Sequence, residues 1–140
     1  MSEWHARQAT MQPRDLAIVG AGPAGMAAAS IAAQCGLSVV LLDEQPAPGG
    51  QVYRDVERVS PLRGSLLGND FTGGLELVRG LAQERIEVVP GAVVWAIEAG
   101  TRLCFTRNDA ASALQARRIL LATGALERPM PVPGWTLPGV

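Results

Sequence analysis

Gly20-Ala21-Gly22-Pro23-Ala24-Gly25 lies where a short apolar run stops and an alanine-rich segment begins. At this spacing each glycine has a distinct task. Gly20 permits a tight turn, Gly22 lets the backbone approach a pyrophosphate with no side chain between, and Gly25 lets a helix pack closely on a strand. Backbone N–H groups and the positive end of the helix then face phosphate oxygens. The predicted chemistry is dinucleotide binding, with Gly20, Ala21, Gly22, Pro23, Ala24 and Gly25 around the phosphates. Asp43 closes the next apolar run, where a carboxylate accepts hydrogen bonds from both ribose hydroxyls. Glu44 beside it is the alternative if the strand ends one residue later. No basic residue comes immediately after this pair. A ribose 2′-phosphate would meet two carboxylates with no nearby cation in sequence, which disfavours NADP.

Other chemistries have little support. Cys35 and Cys104 form no Cys-x-x-Cys pair and are expected to be two buried small residues, with no metal site. His5, the one histidine, lies in a polar N-terminal stretch and is not expected to be catalytic. A net charge of -1 supplies no positive field for nucleic acid or an anionic membrane. The stretch 16–42 is apolar enough to resemble a membrane span. Its interruption by Gly20, Gly22, Pro23, Gly25, Gln34 and Gly36 instead predicts a buried strand, helix and strand, with no transmembrane segment. Arg14 and Asp15 before that run, with no clear cleavage region after it, fit a signal peptide poorly, so a cytoplasmic location is expected.

These residues need elements to hold them in place. Residues 1–14 read as a tail and 15–140 as one domain, since 140 residues leave no room for two full ones. Strand 16–19 stops at glycine and is followed by helix 24–34, rich in alanine. Residues 37–42, with β-branched Val39 and Val40, predict a strand covered by helices on both faces. Prolines and glycines over 45–50 imply a turn, and 51–70 stays ambiguous. Apolar residues at helical spacing predict a helix from about 72 to 84, with Asn69, Asp70 and Thr72 as candidate N-caps. A strand at 86–89 and extended pieces at 92–98, 102–107 and 114–117 suggest a small antiparallel meander. Strand 119–122 ends at Thr123 and Gly124, and the prolines of 129–138 describe an extended connector. The fold class expected is α/β, a Rossmann-like doubly wound parallel sheet with a small antiparallel β-meander, incomplete at the C-terminus.

Three ordered motifs carry a resemblance. The glycine turn, then Leu41-Leu42-Asp43-Glu44-Gln45 with Gly49-Gly50-Gln51, then Leu120 to Pro129 around Ala122-Thr123-Gly124, resemble the FAD domain of the pyridine nucleotide-disulfide oxidoreductase superfamily. Gln51-Val52-Tyr53-Arg54 and the stretch Arg128 to Val140 around Trp135 narrow this. They resemble the FAD-containing subunits of opine oxidases and related amine or amino-acid dehydrogenases. The resemblance runs over 16–140 and implies FAD as cofactor. It places Gly20, Gly22 and Gly25 at the pyrophosphate and Asp43 at the adenosine ribose. Gly49, Gly50 and Gln51 would lie along the FAD, the backbone of Val93 would meet the adenine, and Thr123 and Gly124 would close the sheet against the cofactor.

The implied activity is oxidation of the C–N bond of an amine, opine or amino acid. Hydride would pass to flavin, the imine would hydrolyse, and electrons would leave through a partner subunit or carrier. No acid or base is assigned, Tyr53 and Arg54 being the best polar candidates near the flavin end. Two other readings stay open. One is an NAD(P)H-dependent flavin reductase of the ferredoxin-reductase type, and the other is a non-catalytic dinucleotide-binding remnant. The sequence departs from disulfide reductases in having no cysteine over 51–70, which argues against thiol-disulfide chemistry. It also lacks the NAD-binding-like domain and late Gly-Asp segment of longer members, so a truncated FAD-binding domain is expected.

Overall fold

The computed structural model describes residues 9–10, by backbone alone, and 12–125. The connector expected over 129–138, His5, Trp135 and the rest of the stretch after Ala125 lie outside the described residues. Strand β1 is Ala9–Thr10, β2 is Arg14–Val19, helix α1 is Pro23–Gln34 and β3 is Val39–Asp43. Helices α2, Val56–Thr72, and α3, Gly74–Arg79, follow. Then come β4, Ile86–Pro90; β5, Val93–Glu98; β6, Arg102–Arg107; and β7, Ala110–Leu121.

Local chemistry sets the ends of α1. Pro23 stands in its first turn, where its missing N–H costs nothing, and Gly22 is the N-cap. At the far end the Gly36 N–H bonds the Ala33 carbonyl and the Leu37 N–H bonds the Ala32 carbonyl. That pair of bonds is a Schellman motif, and Gly36 at φ +87° supplies the left-handed residue it needs.

Strands β4, β3, β2 and β7 lie side by side in that order and are parallel. The first half of β7 pairs antiparallel with β6, and β6 with β5, forming the meander. Asn108 and Asp109 at φ +49° and +60° turn the two-residue β6–β7 hairpin, the geometry that matches strand twist. Two extended pieces, 114–117 and 119–122, were expected here, but β7 is one strand. Arg118, which separated the two pieces, is exposed with Arg117 where the strand passes from the meander into the parallel sheet.

The parallel sheet is covered on both faces, by different structures. Val39 and Leu41 pack with Ile18 against Met26 and Ala29 of α1 and Leu81 after α3. Val40 and Leu42 pack with Ala17 against Leu103, Phe105, Leu114 and Ala116 of the meander. Four successive fully buried residues in β3 reflect this double cover. Its second layer, expected to be helical, is the meander.

Further expectations are corrected. Within the tail expected over 1–14, Ala9 and Thr10 pair in parallel with Ser112 and Ala113, and Arg14 opens β2 and forms an ion pair with Glu87. Those partners are distant in sequence, so no local pattern announces them. The ambiguous 51–70 holds most of α2, which buries only Val56 and leaves Leu62 and Leu66 exposed. With Pro61 inside it and a break at Gly68, φ +82°, it has no apolar stripe to read. The helix expected from about 72 to 84 is confined to Gly74–Arg79. Of the cysteines, Cys104 is buried in β6, whereas Cys35 is exposed at the C-cap of α1. Burial, then the nearby Glu98, pushes the Cys104 thiol above its ordinary pKa.

The amino-terminal edge of the sheet is locked by Asp15. Its Oδ2 accepts the Ser38 backbone N–H at 2.9 Å and the Ser38 hydroxyl at 2.7 Å, and Arg117 stands 3.4 Å from Oδ1. The Ser38 backbone bond, then the hydroxyl bond, outweigh burial and hold the Asp15 carboxyl below its ordinary value of 3.8, with Arg117 and Arg85 adding to the effect. A depressed folded-state pKa gives stability that is present above the unfolded value and lost as pH falls through the folded one. Asp15→Asn is therefore expected to lower the melting temperature at neutral pH. The gap to the parent protein should close as pH is lowered through and below 3.8 in thermal-unfolding scans. A gap independent of pH would refute the Asp15 assignment.

Candidate functional site

The chain leaves β2 toward β3 on one side and returns on the other side in β7, so the strand order reverses between β2 and β7. In open α/β sheets, ligands bind outside the carboxyl ends of the strands at such a switch point. A cleft of ≈ 690 Å³ opens there, within the range of small-molecule sites. Its walls come from the β2–α1 turn, the end of β3, the segment after Gly49, the start of β5 and the segment after β7.

Glycine geometry builds the floor. Gly20 takes φ +105°, and a Cβ there would lie 2.8 Å from the Ala122 carbonyl carbon. A Cβ on Gly25 would overlap the Gly20 carbonyl oxygen, so α1 approaches the turn only because that atom is absent. The Gly49 N–H bonds the Ala21 carbonyl at 2.8 Å, and a Cβ on Gly50 would stand 2.8 Å from the Cα of Gly22. The two glycine segments, far apart in sequence, thus touch backbone to backbone. Beside Gly22 a Cβ would meet only the Gly50 Cα, at 3.9 Å, which leaves that face open.

Asp43 ties three segments together. Its Oδ2 accepts the Ala21 N–H at 2.5 Å and its Oδ1 the Gln45 N–H at 2.7 Å. Each oxygen keeps further acceptor capacity. The carbonyl of Asp43 accepts the Ala92 N–H at 2.8 Å, which seats the start of β5 at the cleft. Glu44 is exposed, its Oε1 3.3 Å from the Gln45 amide.

Among the residues expected at the site, Gly20, Gly22, Pro23, Ala24, Asp43, Glu44, Gly50, Gln51, Val93, Thr123 and Gly124 line this one cleft. Ala21, Gly25 and Gly49 lie behind its surface. Ala21 is fully buried, Gly25 is packed on Gly20, and Gly49 is backed by the Tyr53 carbonyl. Of the two polar candidates, Arg54 lines the cleft and Tyr53 does not. Tyr53 packs on the helix-side core, and its ring fills the place of a Cβ at Gly74. Ala92, Val94 and Val52 add apolar surface that sequence reasoning missed. Val94 and Ala92 reach the site only through the turn into β5, for which no motif exists. Gln45 was missed too, although an N–H two residues beyond an aspartate is a recognisable Asx turn. Neither cysteine lines the cleft.

The arrangement suits an extended ligand with a diphosphate. Helix α1 has no side-chain cap and no acidic residue in its first turn, so its positive end is available to an anion. Carboxylates at 43 and 44 can accept ribose hydroxyls, and Val52, Ala92, Val93 and Val94 offer surface to a ring. Gly25→Ala should destabilise the protein by about 1–3 kcal/mol, the cost of overpacking, and weaken ligand binding with it. Gly36→Ala, where a Cβ meets nothing within 4 Å, should cost about 1 kcal/mol of backbone strain and leave binding intact. Chemical denaturation separates the two, and equal effects on binding would contradict the packing role of Gly25.

Residues 14–139 match the pyridine nucleotide-disulphide oxidoreductase family. An opine oxidase subunit of Agrobacterium tumefaciens (strain Ach5) is 44% identical over 134 residues, covering 90% of this chain and 27% of that protein. Hydrogen cyanide synthase subunit HcnB of Pseudomonas aeruginosa is 38% identical over 130 residues, covering 88% and 27%. Among solved structures, L-proline dehydrogenase from P. horikoshii superimposes with a TM-score of 0.67 at 25% identity, over 88% of this chain and 25% of that one. The chain thus spans about a quarter of the length of the proteins it resembles. Since the family match takes in the glycine turn, the parallel strands, the meander and the segment that closes the cleft, the chain belongs to the pyridine nucleotide-disulphide oxidoreductase family.

Proposed function

We propose that this chain supplies the FAD site of an oxidoreductase that oxidises the C–N bond of an amine, opine or amino acid, working with a partner subunit or electron carrier. FAD is the cofactor of this family. The observation that carries the finer reading is the 44% identity to an opine oxidase subunit over nearly the whole chain. Names that include "subunit" in both curated relatives support an assembled enzyme.

FAD, when bound, supplies the redox chemistry by accepting the hydride that leaves the carbon bearing nitrogen. The residues of this chain bind and orient. Gly20, Gly22 and Gly25 bring backbone N–H groups and the α1 terminus to the diphosphate. Asp43 holds the adenosine ribose while keeping the turn closed through the Ala21 N–H. Val93 and its neighbours take the adenine, Gly49, Gly50 and Gln51 run along the cofactor, and Thr123 and Gly124 close the sheet end. Tyr53, packed against the helix-side core and not lining the cleft, drops out as an acid or base. Since no cysteine lines the cleft among the described residues, thiol-disulfide exchange has no group to perform it there.

The purified chain is expected to show flavin absorption on titration with FAD, and failure to bind at saturating FAD would refute the cofactor site. Asp43→Ala should weaken FAD by about 1–3 kcal/mol and also lower stability, because two backbone N–H groups lose their acceptor. Glu44→Ala should do neither, and the reverse ranking would move the ribose to Glu44. The substrate class is read by dye reduction in the assembled enzyme. If opines, amino acids and secondary amines all fail to reduce the dye with FAD bound, the C–N assignment falls.

A further inference from the structure

We infer that Arg54 is the counter-charge for the ligand diphosphate in this cleft, a deepening that rests on the FAD reading above. The chain has no lysine, so its basic side chains are all arginine. Arg54 is the one cation among the described residues that line the cleft, whose other charged members are Asp43 and Glu44. It is exposed and makes no ion pair among the described residues. Two arginines at the other end of the sheet differ in this respect: Arg14 is paired with Glu87 and Arg117 with Asp15.

Placement directs that charge to the phosphates rather than to the ribose. Gly50 touches Gly22 and Pro23 at the start of α1. Arg54 follows Gly50 by four residues in a run of turns, where the Tyr53 N–H returns to the Gly49 carbonyl at 3.1 Å and the Val56 N–H to the Tyr53 carbonyl at 3.1 Å. Arg54 lines the same cleft as Gly50, Gly22 and Pro23. A diphosphate here would bring a double negative charge into a cleft that already holds two carboxylates. Backbone N–H groups contribute dipoles, and Arg54 contributes a full charge and a planar set of donors suited to phosphate oxygens.

The test is calorimetric titration of the full chain with FAD, ADP and adenosine, at low and at high salt. Arg54→Gln is expected to weaken FAD and ADP by about 10-fold or more and to leave adenosine unchanged. Arg54→Lys should recover part of the loss, and the salt dependence of FAD binding should be flatter in Arg54→Gln than in the parent protein. Parent-like FAD affinity in Arg54→Gln would overturn the inference and leave the FAD reading standing. An equal loss for ADP and adenosine would also overturn it, because that pattern marks a packing role. If the parent chain binds neither FAD nor ADP, the FAD reading fails and this inference fails with it.

Discussion

A Cβ at Gly25 would overlap the Gly20 carbonyl oxygen, and one at Gly50 would lie 2.8 Å from the Gly22 Cα. Three chain segments, the β2–α1 turn, the helix itself and the turn after β3, are therefore packed backbone to backbone. Backbone contact of this kind has no side-chain flexibility to absorb an added atom. The direction of α1, the seat of the Gly49 segment and the open face beside Gly22 all follow from it. The cleft is what remains when these approaches have been made, and Asp43 fixes it by accepting one N–H from the first turn and one from the second.

The sheet supplies the rigidity that such a contact needs. Strand β3 divides its buried residues between two cores, with Val39 and Leu41 toward the helices and Val40 and Leu42 toward the meander. A one-residue slip would exchange these two sets and move Asp43 out of register with Ala21. Strand β7 links the layers, since its first half belongs to the meander and its second half pairs with β2. It delivers Ala122 against Gly20, where the Ala122 N–H bonds the Val19 carbonyl at 2.8 Å. The meander is thus a second cover for the sheet and also a device that aims Ala92, Val93 and Val94 at the site.

Much of this was legible because the signals were local. The glycine spacing, the acidic residue at the end of β3 and the apolar runs each act within a few residues, and the structure brings their side chains or backbones to one cleft. The illegible parts depend on distant partners. Arg14 reads as the end of a tail until Glu87 stands beside it. Tyr53 reads as a polar candidate because sequence shows its hydroxyl and hides the space that Gly74 leaves for its ring. Helix α2 has too little buried surface to impose a period, and β7 reads as two pieces because Arg118 is polar and exposed where it crosses between layers.

The two strand-end aspartates differ in how far the protein itself completes their hydrogen bonding. Both Asp15 and Asp43 accept N–H groups from a segment more than twenty residues away. At Asp15 one oxygen takes two bonds from Ser38 and the other faces Arg117, so hydrogen-bond partners and a cation come from the protein itself. At Asp43 each oxygen takes one N–H, and no cation pairs with it among the described residues. The amino-terminal edge is consequently closed by its own side chains. At the carboxyl end the helix terminus has no cap, the aspartate has acceptor capacity left and Arg54 has no partner among the described residues, so each group can be completed by a ligand that carries both hydroxyls and a diphosphate.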